Sequence, residues 1–342
     1  MRSLILEKPK DPSSLKLIDQ TLPEPGDKQL RVKITSIGLN RGDLLYCQGR
    51  YFFQAPAHSR LGFEGAGIID KLGRGLDNTT FKCGDRVALL PMSFDISQQG
   101  CLAEYGLYEA SSLIASPNTI SDEEAGSLWM AFLTAWGGMV ECGGLSKDET
   151  VVITAASSSV GLAAIQIAKM LGAKVIATSS QESKSAALRD NGADEVIVFG
   201  SNLEGDALVK ANEQYVVKVR EFTQNSGSNL VFDAVAGPAT HGLVKASSQG
   251  GRIVIQGMLD RRPMDIHAGV LMKRRLSLRG YTLDETLEDD IKKQRAIRAI
   301  SEGFKNNQLK SVIAQTHALS CFDDAFEQLK RNQHIGKIVL IP

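Results

Sequence analysis

The residues with the clearest chemical meaning stand at one junction, Val151-Val152-Ile153-Thr154-Ala155-Ala156-Ser157-Ser158-Ser159-Val160-Gly161-Leu162. A short apolar strand runs into a loop of tiny side chains and then directly into a helix. Such a junction suits the pyrophosphate of a dinucleotide, because the free N–H groups and positive dipole end of a helix N-terminus favour an anion. Small side chains let the phosphates approach the main chain. In the register of the pattern G-x-G-x-x-G that ends at Gly161, Ala156 and Ser158 take the first two glycine places. Only the third glycine is kept, so the loop by itself also fits an ordinary strand-to-helix turn. The surrounding alternation of strands and helices favours the cofactor. The candidates are Ser158, Ser159, Val160 and Gly161.

The next strand says which cofactor. In folds that prefer NAD, an acid ends the second strand and holds the ribose 2′-hydroxyl. Here that stretch reads Thr178-Ser179-Ser180-Gln181-Glu182-Ser183-Lys184. Hydroxyls and a lysine suit a 2′-phosphate, which a carboxylate would repel. Ser179, Ser180 and Lys184, the last one turn into the following helix, therefore point to NADPH. The alternative is a polar helix start with Lys184 solvated.

Other chemistry is sparse. Five histidines, at 58, 241, 267, 317 and 334, form no i, i+3 or i, i+4 pair. Five cysteines, at 47, 83, 101, 142 and 321, form no CxxC pair, so neither a disulfide framework nor a zinc knuckle is expected. Cys47 reads as an inert thiol. Arg261-Arg262 and Lys273-Arg274-Arg275 form the one basic cluster, which reads as a solvated connection.

The elements that position these groups change character near residue 122. Before it lie short β-type runs: Ser3–Glu7, Leu15–Asp19, Leu30–Gly38, Gly65–Leu72, Arg86–Leu90 and Cys101–Tyr108. The turn signals between them predict an antiparallel, partly closed β-structure. From Ser121 the pattern becomes helix, then alternating strands and helices. Strands are expected at 151–154, 174–178, 195–199, 229–234, 252–256 and 276–281, and helices at 160–171, 182–191, 216–224 and 238–248. Such alternation means a parallel sheet with helices on both faces. A charged amphipathic helix over 287–306 follows, and the tail Lys337–Pro342 reads as a strand returning to the first domain. The expected boundaries are 1–124, 125–283 and 284–342.

Composition agrees with an ordinary globular chain: 342 residues, 43% hydrophobic and 23% charged. Lys+Arg and Asp+Glu both number 39, and a neutral chain argues against a nucleic-acid partner. No stretch approaches the ~20 apolar residues of a membrane helix, and the early charges of Met1–Lys8 do not read as a signal peptide. With the scattered cysteines, these features predict a soluble cytoplasmic protein with no membrane partner.

Seven segments, in order, carry a resemblance: Gly38-Leu39-Asn40-Arg41-Gly42-Asp43, Leu61-Gly62-Phe63-Glu64-Gly65-Ala66-Gly67, Cys83-Gly84-Asp85-Arg86-Val87, Leu133-Thr134-Ala135-Trp136, the loop ending at Gly161, Asp233-Ala234-Val235-Ala236-Gly237 and Gly336-Lys337-Ile338-Val339. The chain resembles the zinc-independent quinone oxidoreductases, a zeta-crystallin-like group of the medium-chain dehydrogenase/reductase superfamily. The resemblance implies a GroES-like partly closed β-barrel domain beside a doubly wound Rossmann domain. It adds Thr134, Phe199, Gly257 and Lys337 to the cofactor-binding set, and it implies a homodimer paired through the strand at 276–281. Asn40 and Phe63 stand where the zinc branch has its first two metal ligands, and the third falls near Met130–Leu133, so no catalytic zinc is expected.

Without a metal to stabilise an alkoxide, the hydride acceptor should spread charge itself, as a quinone or an α,β-unsaturated carbonyl does. The resemblance makes Asn40 and Tyr51 the candidates for bonding the acceptor oxygen, with Tyr46 a weaker one. A turn role for Asn40 and a rim or dimer contact for Tyr51 stay open. So do two other functions: an enoyl-thioester or alkenal reductase, and a non-catalytic NADPH-binding redox sensor.

Overall fold

Apolar strands flanked by helices build the second half of the chain. In the computed structural model, which describes residues 1–76 and 79–342, residues Ala131–Lys310 form one unit. Its six strands lie in the order Glu195–Val198, Lys174–Ser179, Thr150–Ile153, Ser228–Asp233, Ser247–Ile255, Ser277–Gly280, all parallel. The first strand in sequence lies inside the sheet, between the second and the fourth. The direction of winding therefore reverses beside Thr150–Ile153, the switch point at which such sheets bind ligands. That strand is buried throughout, which explains its unbroken apolar run.

The other unit joins Met1–Met130 to Ser311–Pro342. Its larger sheet runs Ile313–Ala318, Lys337–Ile341, Gln29–Leu39, Gly65–Leu72, Arg86–Leu89, Leu113–Ala115, with Tyr105–Glu109 also paired to Gln29–Leu39. A three-stranded sheet of Leu15–Asp19, Arg2–Leu6 and Ser59–Arg60 completes it. Inward residues such as Leu30, Val32, Ile37, Phe63, Val87 and Ile338 form one core. The two architectures are those expected.

Several boundaries differ. The return begins at Ser311, not at 284, because the helix Asp290–Lys305 buries Ala296, Ile300 and Phe304 within the parallel-sheet unit. There Phe304 meets Phe132 edge-on at 5.0 Å. The first unit reaches Met130, past 124, because Arg86 binds Asp122 and the Met130 N–H donates to Glu64. The helix expected at 216–224 spans Gly205–Phe222; its first half is charged, which hid the stripe Asn212, Tyr215, Val219. Residues 101–104 stand outside the strand Tyr105–Glu109: the N–H groups of Cys101 and Leu102 turn to the carbonyls of Gly62 and Leu61, and Ala103 makes only an isolated antiparallel bridge to Ser3. The helices Trp129–Trp136, Ala268–Arg274 and Phe322–Arg331 and the strand Ile313–Ala318 were not anticipated.

Candidate active site

Two groups of side chains bear the candidate chemistry, one in each unit. In the parallel-sheet unit the strand Thr150–Ile153 leads through Thr154–Ser158 into the helix Ser159–Met170. Ser158 is the N-cap, its hydroxyl accepting from the Gly161 N–H at 3.1 Å. Ser159 and Val160 form the first turn. Gly161 must be glycine: a Cβ there would lie 2.6 Å from the main chain of Ala156. That is the close helix–strand approach the third glycine of the pattern provides.

The carboxyl ends of neighbouring strands are tied together beside this loop. Asp233, fully buried, accepts from the Thr154 hydroxyl at 2.6 Å and from the N–H groups of Val235 and Ala236 at 2.9 and 3.1 Å. Burial raises its pKa, and these donors pull it back down. The Thr154 hydroxyl accepts in turn from the Ala234 N–H at 2.8 Å.

The cofactor-selecting residues divide. Ser179 is buried and turns its hydroxyl onto the main chain of Gln181, donating to the carbonyl at 3.0 Å and accepting from the N–H at 3.2 Å. Ser180 is exposed. Lys184 ends a 3-10 turn, Glu182–Lys184, ahead of the helix Ser185–Asp190, so it does not sit one turn into that helix. It is 5% exposed, and its ammonium donates to the Ser157 hydroxyl of the loop at 3.3 Å. Burial pushes its pKa below the ordinary lysine value. Phe199 follows the third strand, its N–H bonded to the Ser179 carbonyl and its ring edge-on to Tyr215 at 6.2 Å. Gly257 lies against the main chain of Ala234, and Thr134 sits in the helix Trp129–Trp136. A tight small-residue turn into a helix, a second strand ended by serines and a buried lysine on the loop fit a dinucleotide with a 2′-phosphate.

In the β-rich unit, Asn40 is the N-cap of the helix Arg41–Cys47. Its amide is engaged at both ends: Nδ2 donates to the Gly38 carbonyl at 3.0 Å and to Glu64 Oε1 at 3.1 Å, while Oδ1 accepts from Lys337 Nζ at 2.6 Å. Lys337 also pairs with Glu64. Asp43, buried beneath, accepts from the Asn40 N–H at 2.8 Å through Oδ2, whereas its Oδ1 finds no hydrogen-bond partner among the described residues. Burial pushes the Asp43 pKa up to about 7. Tyr51 belongs to an aromatic cluster, edge-on to Phe53 at 5.0 Å and to Phe63 at 5.1 Å. Tyr46 is buried, its hydroxyl 2.9 Å from that of Ser59, which makes it a core residue. The resemblance placed Lys337 with the cofactor; in this structure its ammonium serves Glu64 and Asn40. Glu64, Asp43 and Asp233 were not singled out as site residues. The signal was present, because an acid inside a run such as Leu61–Gly67 must find a partner.

Residues 26–128 match the alcohol dehydrogenase GroES-like domain family, and residues 159–302 the zinc-binding dehydrogenase family. The chain belongs to the medium-chain dehydrogenase/reductase superfamily, in its quinone oxidoreductase group. It is 26% identical to a quinone oxidoreductase of Lama guanicoe, over 100% of this chain and 97% of the relative. It is 30% identical to a mycocerosic acid synthase-like polyketide synthase of Mycolicibacterium smegmatis; the match takes in 83% of this chain and spans only 12% of the synthase. A crystal structure of Escherichia coli quinone oxidoreductase complexed with NADPH superposes with a TM-score of 0.86 at 24% identity, covering 100% of both chains.

Zinc, which the second family's description implies, does not fit these residues. Asn40 is bonded to Lys337 and Glu64, and Phe63 packs among the rings of Tyr46, Tyr51 and Phe53. A metal ion at Glu64 would meet the Lys337 ammonium. Among the described residues no three His, Cys, Asp or Glu side chains gather as a metal set. Nor, among them, is any helix long and apolar enough to cross a membrane.

Proposed function

We propose that the protein is an NADPH-dependent, metal-free reductase that passes a hydride to a quinone or to the β-carbon of an α,β-unsaturated carbonyl. The observation that carries this reading is the Lys337 ammonium bonded to Asn40 and Glu64, which leaves the former metal-ligand position with an amide and a neutralised carboxylate. Such a site lacks a Lewis acid for a simple alkoxide, so the acceptor must delocalise its own charge. NADPH supplies the hydride. Ser158, Ser159, Val160 and Gly161 would hold its pyrophosphate at the helix N-terminus, and Ser180 and Lys184 its 2′-phosphate. Thr134, Phe199 and Gly257 stay with the cofactor by resemblance, and Ser179 contributes by shaping the turn at Gln181. Asn40 would offer the acceptor oxygen the N–H it now gives Glu64, the longer of its two donations, while Tyr51 and its aromatic neighbours flank a flat acceptor.

The same reading includes a cytoplasmic setting and a homodimer. The edge strand Ser277–Gly280 is exposed along its whole length, and pairing would cover it. A dimeric mass by light scattering at micromolar protein is expected, and a monomer would remove that part.

The deciding assay is NADPH oxidation against a panel of quinones, enals and enoyl thioesters, with simple ketones as controls. Turnover of quinones or enals and none of ketones is expected. Turnover of enoyl thioesters alone would move the assignment to a thioester reductase. Tight NADPH binding with no turnover of any acceptor would make the protein a sensor.

A further inference from the structure

Glu64 and Lys337 form an ion pair inside the β-rich unit, each side chain 2% exposed. Removing two charges from water is costly, and such a pair is tolerated only where further hydrogen bonds satisfy both partners. That condition is met here. Glu64 Oε2 accepts from the Met130 N–H at 2.9 Å, Oε1 accepts from Asn40 Nδ2 at 3.1 Å, and Lys337 donates to Asn40 Oδ1 at 2.6 Å. The fold leaves room for the pair at Gly38, where a Cβ would stand 2.8 Å from both Glu64 Oε1 and Lys337 Cε.

The arrangement has a consequence for Asn40. An ammonium only donates and a carboxylate only accepts, so the amide has one orientation: oxygen to Lys337, NH2 to Glu64. Reversing it would set Nδ2 against an ammonium and Oδ1 against a carboxylate. Two apolar side chains of similar volume would stabilise the core as well or better. The pair instead fixes which end of the amide lies where.

We propose that Glu64 and Lys337 are positioning residues of the acceptor site. They hold the Asn40 amide with its oxygen on Lys337 and its NH2 toward Glu64, so that the N–H passed from Glu64 to an acceptor oxygen always comes from the same end of the amide. Lys337 also cancels the Glu64 charge that would oppose negative charge developing there. The proposal rests on the reading that Asn40 meets the acceptor. It also reassigns Lys337, which acts through Asn40 and not through the cofactor.

The test uses the full-length protein as wild type, Lys337→Met, Lys337→Arg and the neutral double variant Glu64→Gln/Lys337→Met. Three quantities are read: kcat and KM for the best acceptor, the NADPH dissociation constant by fluorescence, and the Asn40 side-chain NH2 resonances in 15N-labelled protein. Misplacing a reacting contact by about 1 Å costs on the order of 100-fold. Lys337→Met is therefore expected to lower kcat about 10- to 100-fold while NADPH affinity stays within about threefold, with Lys337→Arg recovering part of the loss. The Asn40 NH2 pair should move toward the averaged shifts of a free amide. If Lys337→Met does not fold, the uncharged double variant carries the test, with kcat still low and the amide still averaged.

A large loss of NADPH affinity with kcat retained would make Lys337 a cofactor contact and overturn the proposal. Unchanged kcat and unchanged resonances in a folded variant would overturn it as well, leaving the pair a structural one. If wild-type protein turns over no acceptor, the functional reading fails; the resonances then still decide whether the pair orients Asn40.

Discussion

Lys337 and Lys184 are both almost fully buried, at 2% and 5% exposed, yet their surroundings differ in kind. Lys337 lies against a carboxylate and an amide oxygen supplied by its own unit. Lys184 lies against the Ser157 hydroxyl of a loop whose small residues lead into a helix N-terminus, and burial holds its pKa down. The first charge is neutralised by the fold. On the proposed reading, a phosphate arriving beside Lys184 would restore what desolvation took from its ammonium. Under the proposed function, one region keeps a geometry and the other gains stability on binding.

The sharpest way to break this contrast is to remove each lysine in turn. Lys337→Met leaves Glu64 buried and uncompensated, and breaking such a pair costs about 3–5 kcal/mol. Lys184→Met removes a desolvated charge and should shift stability by about 1 kcal/mol or less. Urea unfolding of the cofactor-free protein at pH 7 measures both. Equal losses would mean that Lys184 is also part of a prebuilt network.

The pH dependence of stability comes next in size, and it belongs to the Lys337 side. Burial raises the Asp43 pKa from 3.8 to about 7, so between those values the folded protein holds a proton that the unfolded chain releases. Stability from this group is fully present below about pH 4 and is lost as pH rises through 7. At about 1.4 kcal/mol per unit, the shift corresponds to about 4 kcal/mol at most. Asp43→Asn keeps an oxygen for the Asn40 N–H and removes the titration. The variant should gain on wild type steadily from pH 4.5 to 7.5 in thermal melts. Parallel curves would show that Asp43 stays ionised in the fold.

On the Lys184 side the readout is affinity. A charge-assisted contact is worth about 1.5–3 kcal/mol, so Lys184→Ala with Ser180→Asp should weaken NADPH by roughly 10- to 150-fold. NADH, lacking the 2′-phosphate, should change less than about threefold. The new carboxylate goes at Ser180 because Ser179 is buried and spends its hydroxyl on Gln181. An unchanged NADPH-to-NADH preference would remove these residues from the phosphate site.

The same contrast explains what the sequence could tell. The Lys184 region is local: strand, loop, helix and the next strand end lie within Thr150–Lys184, and apolar runs, small residues and Gly161 mark each part. The architecture was legible for the same reason. The Lys337 network joins residues 40, 64, 130 and 337, and nothing local in Gly336-Lys337-Ile338-Val339 says that the ammonium turns to Glu64. Asn40 and Lys337 were both noticed, but as separate contacts to different ligands. The helix at 205–222 was half missed because its first turns carry charges that a helix keeps outward. Boundaries failed at 283 because Ala296, Ile300 and Phe304 are spaced to bury one helical face without revealing which unit receives it.

The smallest predicted effect separates two roles assigned to one serine. By sequence Ser158 is a phosphate contact, and in the structure it is also the N-cap of the helix that receives the phosphate, its hydroxyl bonded to the Gly161 N–H at 3.1 Å. Losing an N-cap hydroxyl to alanine typically costs about 1 kcal/mol, and to glycine only a few tenths. If capping is the main role, Ser158→Ala should destabilise the cofactor-free protein by about 1 kcal/mol and Ser158→Gly by less. With NADPH bound, a phosphate oxygen can take over the Gly161 N–H that the serine gives up, so the Ala variant should recover much of its deficit at saturating cofactor. The measurement is the difference in melting temperature between variant and wild type, with and without NADPH. A gap that widens with NADPH would mean that the Ser158 hydroxyl itself bonds the cofactor, and the loop would then behave less like a turn waiting for an anion and more like the prebuilt network around Lys337.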